Sequence, residues 1–182
     1  MDVFPEFTTD RLLLRDVSLA DTPSWTEHFA DYEVIRHLHA HVPWPYPDNG
    51  VRDFISTSVI PQQGQDCWNW ALCLKEDPKT VIGSISLWRA PRPDNRGFWL
   101  GKKFWGRGLM TEALTPVMDH AFTKLAFESV ILSNAVSNPR SRRLKEKAGA
   151  QLIGIEPADF VDPLSKEREL WTLTKEAWFN KK

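Results

Sequence analysis

The chain has 182 residues, a formal net charge of −1, 42% apolar and 26% charged residues, and nine tryptophans. Near-neutral charge with no nucleic-acid motif argues against a nucleic-acid partner, and no run approaches the ~20 apolar residues of a membrane span. The length suits one buried core, so one domain over residues 1–182 is expected, and the start MDVFPEF lacks the pattern of a secretory leader, which leads to an expectation of cytoplasmic location.

In chain order, residues 11–17 (RLLLRDV) form an apolar run with charged ends and read as a first strand. Ser18 with Asp21 has the form of a helix cap, and the helix is expected to run past Trp25 and Phe29 toward Leu38. The proline-rich segment 42–47 interrupts, and Asp48 or Asn49 starts a short helix through Phe54 and Ile55 that ends by Pro61. Residues 67–75 and 80–88 read as a hairpin around a turn at Asp77 and Pro78. Cys67 and Cys73 share a face of its first strand, too far apart for a disulfide, and read as reduced, buried thiols.

After the loop RAPRPDN, strand 96–100 leads into a glycine-rich turn and the most periodic segment of the chain. Leu109, Met110, Ala113, Leu114, Val117, Met118, Ala121, Phe122 and Leu125 recur at helical spacing as one apolar stripe. Pro116 inside this helix cannot donate to the Glu112 carbonyl, a defect worth ~3 kcal/mol that predicts a kink. Residues 129–136 form another strand, Asn138-Pro139 caps a basic helix that stops at Gly149, and strands follow at 151–155 and 168–174.

The glycine turn carries the clearest chemistry. Gly106 and Gly108 bracket Arg107, so the backbone can turn tightly and present several N–H groups ahead of a helix N-terminus, a cradle for a phosphate or pyrophosphate. A Walker loop does not fit, because Arg107, Gly108 and Leu109 follow Gly106 where Lys and Ser or Thr are required. The dinucleotide fingerprint does not fit either, since Thr111 stands where a third small residue belongs and Glu128 precedes the next strand.

TTDRLLLRDV, VIGSISL, FWLGKKFWGRGLMTEAL and NPRSRRLKEKAG, in that order, resemble the Gcn5-related N-acetyltransferase (GNAT) family, in particular its branch that acetylates N-terminal residues of ribosomal proteins. The resemblance implies an α/β (α+β) fold with a mixed, mostly antiparallel central sheet of six to seven strands and about four helices. It implies acetyl-CoA as co-substrate with no metal, the pyrophosphate held by Trp105, Gly106, Arg107, Gly108, Leu109, Met110 and Thr111 with Lys103 nearby. The pantetheine arm is implied to run along Phe98, Trp99 and Leu100, the Leu100 N–H polarising the thioester carbonyl. Asn138 matches the family's pantetheine-contacting asparagine, though a helix cap explains it equally on residue chemistry. Asn95 stands near where many relatives place a catalytic Glu, with Asp94 beside it, and Lys145 where many place an acidic Tyr. Ser141 is the branch's candidate for protonating the leaving thiolate.

Relatives build part of the acceptor pocket near HLHAH and VPWPYP, which makes His37, His39, Trp44 and Tyr46, with Trp70, the candidate acceptor contacts. A metal at the histidines is disfavoured by loop spacing without an adjacent carboxylate, while a solvated helix end and acceptor recognition both account for them. A protein α-amine, with a pKa of ~7.7–8.0, needs little base help, so the favoured reaction is direct attack by an N-terminal α-amine, with a ribosomal or other protein as partner. A polyamine, amino acid or antibiotic amine is the alternative acceptor. A non-catalytic acyl-CoA-binding module is the alternative class, and surplus tryptophan suggests a homodimer.

Overall fold

The computed structural model describes residues 4–90 and 93–181, so the first three residues of MDVFPEF and two of the loop RAPRPDN lie outside the described residues. Among the described residues, eight strands form two antiparallel sheets. β1 (Phe7–Thr8), β2 (Leu12–Asp16), β3 (Cys67–Leu74), β4 (Asp77–Trp88) and β5 (Arg96–Leu100) lie side by side in chain order. The second sheet has the order β6 (Ser129–Ala135), β8 (Glu167–Thr174), β7 (Gln151–Pro157).

Alternation assigns the two faces of the larger sheet. Leu12, Leu14, Trp68, Trp70 and Leu72 pack with α4 (Leu109–Thr123), whose stripe is buried from Leu109 to Phe122. Ala71, Cys73, Val81 and Trp99 face a second core with Trp25 and Phe29 of α1 (Thr22–Phe29) and Ile35 of α2 (Tyr32–Ile35). β3 is thus covered on both faces, which is why it reads as a continuous apolar run. Pro116 sits inside a helix that continues without a break to Thr123, after which α5 (Pro139–Ala148) follows β6.

Several boundaries differ from expectation for local reasons. The helix expected from Ser18 to Leu38 divides at Ala30, because the Asp31 side chain accepts from the Glu33 N–H at 2.9 Å and caps a new helix. The hairpin turn is at Lys75 and Glu76, and Asp77 and Pro78 already belong to β4, where a proline is tolerated at the start of a strand. The helix after Asn49 is α3 (Gly50–Phe54), continued by a π turn over Ile55–Val59 and a 3-10 turn over Ile60–Gln62 that takes in Pro61. β1 and α6 (Lys175–Asn180) were not anticipated. Six of the tryptophans, at 25, 68, 70, 99, 171 and 178, are core residues, so the surplus is largely accounted for inside the fold.

The feature that positions the site is the join between the sheets. The Asn95 N–H donates to Ile131 O at 2.7 Å, and the Ile131 N–H donates to Asn95 Oδ1 at 2.8 Å. The same side chain donates through Nδ2 to the carbonyls of Trp88 at 3.0 Å and Arg89 at 2.9 Å. Past this clasp β5 and β6 share no ladder among the described residues. A wedge therefore opens between them.

Candidate active site

The glycine turn closes one end of the wedge. Gly106 and Gly108 adopt φ of +73° and +75°, the left-handed region. A Cβ on Gly106 would meet nothing within 4 Å, and one on Gly108 only Arg11 Nη2 at 3.7 Å, so it is backbone conformation that calls for glycine. Gly108 is the N-cap of α4 and provides no side-chain cap, which leaves first-turn N–H groups for an anion.

The turn is fastened from behind. Glu112 Oε1 accepts from Thr9 Oγ1 at 2.6 Å and from the Arg11 N–H at 2.8 Å, and Oε2 accepts from Arg11 Nε at 2.7 Å. Arg11 Nη1 then donates to the Arg107 carbonyl at 2.9 Å. Burial acts to raise the Glu112 carboxyl, but these hydrogen bonds and the Arg11 charge outweigh it and hold it below its ordinary value. Trp105 is set by its own donation from Nε1 to Leu100 O at 2.7 Å and by the Arg140 guanidinium 4.4 Å from its ring.

The wedge is part of a cleft of about 1340 Å³. Phe98, Trp99, Leu100, Trp105, Gly106, Gly108, Leu109, Met110, Thr111, Asn138 and Ser141 all border it. Two of the implied acetyl-CoA contacts do not. Lys103 is turned out to Glu27 at 3.3 Å with a 73% exposed side chain, and the exposed Arg107 presents its carbonyl to Arg11. Asn95 is also off the cleft wall, its side chain occupied by the clasp.

Asn138 does both things asked of it: it borders the cleft, and its Oδ1 accepts from the Ser141 N–H at 3.2 Å as the cap of α5. With it goes a polar group, Lys145, Asp94 and Arg96, whose burial motif reading did not anticipate. Lys145 is 1% exposed and donates from Nζ to Ser141 Oγ at 2.8 Å. Arg96 is 5% exposed, with Nε unpartnered and its guanidinium 5.6 Å from the Phe98 ring. Asp94 is hydrogen-bonded to Ser133 Oγ. Burial holds Lys145 well below the ordinary lysine value, with the Arg96 charge adding to it. Burial pushes Arg96 down to about 10 and Asp94 above its ordinary value.

At the other end of the cleft, His37, His39, His41 and Tyr46 line the wall with Phe29 and Phe160. Two strap-like contacts build it: the Val161 N–H donates to Leu38 O at 2.9 Å, and Arg36 pairs with Asp162 at 2.6 Å. Phe160 has no sequence signal, because the loop after β7 meets HLHAH only in the folded chain. Burial, then the Arg36 charge, lowers the His37 imidazole, whose Nδ1 lies 3.4 Å from Ser137 Oγ. Trp70 is a correction. It is fully buried on the α4 face and donates from Nε1 to Pro5 O at 2.7 Å, so it belongs to the core and not to an acceptor pocket. Trp44 stands beside Tyr32 at 5.3 Å, 46% exposed and off the cleft wall.

A split sheet with a glycine turn feeding a helix N-terminus beside the split offers an anion cradle at the end of an unpaired strand edge. The sequence profile described as "Acetyltransferase (GNAT) domain" matches residues 11–151, and the chain belongs to the GNAT family. It is similar to N-acetyltransferase p20 of Bacillus licheniformis, itself named uncharacterized, with 26% identity over 152 residues that cover 81% of this chain and 83% of that protein. Its fold matches RimJ of Mycobacterium smegmatis in complex with CoA-disulfide, with TM-score 0.78, 17% identity, and 94% and 87% of the two chains covered. It likewise matches the Microcin C7 self immunity acetyltransferase MccE in complex with acetyl-CoA and AMP, with TM-score 0.72, 17% identity, and 91% and 93% covered. The protein is an acyltransferase, an acetyl-CoA-dependent N-acetyltransferase. The residues present fit acetyl-CoA: the left-handed glycines and uncapped α4 suit its pyrophosphate, and the unpaired wedge suits its pantetheine arm.

Proposed function

We propose that the chain acetylates the α-amine of a protein or peptide N-terminus, a ribosomal protein among the candidates, by direct attack on the thioester. The observation that carries this reading is the acceptor end of the cleft, a trough between the HLHAH segment and the loop around Phe160, formed by side chains from two separate stretches of chain. An N-terminal residue is an extended chain end and suits a trough. An α-amine also matches the modest base strength of the imidazoles at this end, where Glu33 on the same wall is paired with Arg36 at 3.4 Å. Direct attack is favoured because Cys73 is buried with its thiol pushed up to about 11, and Cys67 lies on the same strand, at the end of β3.

Within this reading Ser141 meets the leaving sulfur, the Leu100 N–H polarises the carbonyl, and His37, His39 and Tyr46 contact the acceptor. Residues 1–182 act as one domain in the cytoplasm. The homodimer expectation no longer has tryptophan behind it, and sedimentation of the purified protein decides it. The test is mass spectrometry of peptides with free α-amines, incubated with acetyl-CoA beside blocked peptides bearing only lysine ε-amines, polyamines and free amino acids. Acetylation confined to α-amines of peptides supports the reading, and turnover of only the small amines overturns it.

A further inference from the structure

A lysine at 1% exposure whose Nζ donates, among the described residues, to the hydroxyl of Ser141 at 2.8 Å and to its carbonyl at 3.5 Å, with no carboxylate among those partners, calls for an explanation. Burying an ammonium without a paired carboxylate is costly, and such a group sheds its proton. Three charged groups act on the same balance. Arg96 on β5 opposes a second positive charge, while Asp94 before β5 and Glu169 on β8 favour one. Both acids are already engaged, Asp94 by Ser133 Oγ and Glu169 by Arg142 Nη1 at 2.7 Å and Asn134 Nδ2 at 2.9 Å. Burial and the Arg96 charge therefore pull the Lys145 amine toward its neutral form, one turn of α5 behind a serine that borders the cleft.

We propose that Ser141 and Lys145 form a proton relay that serves the acetyl transfer in both directions, with Lys145 as a positioning residue acting through Ser141. It rests on the acetyl-transfer reading and supplies the base that Asn95, committed to the clasp, does not. As the acceptor nitrogen forms its bond to the acetyl carbon, its surplus proton passes to Ser141 Oγ while the Ser141 hydrogen passes to Lys145 Nζ. As the carbon–sulfur bond breaks, sulfur takes a proton from Ser141 Oγ and Lys145 returns its own. One N–C bond forms, one C–S bond breaks, one proton moves from nitrogen to sulfur, and the pair ends as it began.

The experiment combines a titration and a kinetic cycle. In protein labelled with ¹⁵N-lysine, the Lys145 Nζ signal, assigned by its absence in Lys145→Met, is followed from about pH 6 to about pH 11, a range spanning the ordinary ~10.4. Lys145→Met, Ser141→Ala and the double variant are compared with the parent for turnover of an alanine-initiated peptide, acetyl-CoA affinity and Tm. The relay predicts Lys145 titrating well below the other lysines, and kcat down roughly 10- to 100-fold in each single variant with no further loss in the double. It also predicts acetyl-CoA affinity unchanged within about twofold, Tm maintained in Lys145→Met, and a changed acid limb of the kcat–pH profile in that variant. A Lys145 that titrates with the surface lysines, or a Lys145→Met enzyme with parental kcat and pH profile, overturns the relay while leaving the transferase reading intact. A parent that acetylates neither peptide nor small amine removes that reading, and the relay with it.

Discussion

Glu112→Gln tests whether the glycine turn depends on a clamp made by residues about a hundred positions apart in the chain. The amide keeps one oxygen for the Thr9 hydroxyl and Arg11 N–H but sets an NH₂ group against Arg11 Nε–H, where the carboxylate now accepts at 2.7 Å. A hydrogen bond to a charged group contributes ~1.5–3 kcal/mol when well shielded. With side-chain exposures of 47% for Arg11 and 19% for Glu112, solvent screening lowers the expected loss to about 1–2 kcal/mol. At ~2–4 °C per kcal/mol for a chain of this size, Tm should fall by about 2–8 °C. Freed from Glu112, Arg11 no longer holds the Arg107 carbonyl, and calorimetry should show acetyl-CoA binding weakened about five- to tenfold, roughly 1–1.4 kcal/mol, with kcat at saturating acetyl-CoA unchanged. The pH sign follows from the lowered carboxyl. Its stabilisation is complete above the ordinary value of ~4.3 and disappears as pH falls through the lower folded value, so the variant should lose less Tm on acidification than the parent. Parental Tm together with parental acetyl-CoA affinity would refute the clamp.

Gly83→Ala puts a Cβ 2.6 Å from the Trp99 carbonyl and must push β5 outward, for about 1–3 kcal/mol of stability and weaker acetyl-CoA binding, both read by thermal shift with and without acetyl-CoA. Asn95→Ala strips partners from the Ile131 N–H and two carbonyls, so at least ~2 kcal/mol should be lost in urea unfolding; a loss under half that would show water replacing the clasp. Trp70→Phe should lower Tm and leave the acceptor KM unchanged, since its indole lies on the α4 face; a raised KM would return it to the pocket. His37→Ala should raise the acceptor KM several-fold at constant acetyl-CoA KM, and equal effects on both would remove it from the acceptor end.

What the sequence made legible follows periodicity and local backbone chemistry. The α4 stripe, the glycine turn and the Asn138 cap are each fixed by neighbours within a few residues, and all stand where expected. The errors lie where distant groups decide. Asn95 is positioned near the place of a catalytic acid, but its partners are the backbones of Trp88, Arg89 and Ile131, and pairing across 36 positions leaves no periodic trace. Trp70 is aromatic in a chain that needs an aromatic pocket, yet strand parity sends it with Trp68 to the α4 core. Lys145 is the sharpest case. RSRRLKEK reads as a solvated basic helix, and by composition any of its cations belongs in water. Helical spacing does place Lys145 one turn behind Ser141, on the same face. That this face turns inward, leaving Ser141 and Lys145 buried and Lys145 within the fields of Arg96 and Asp94, is set by tertiary packing. The Ser141–Lys145 pair was therefore present in the spacing, and its burial, which pulls the lysine amine toward its neutral form, was not.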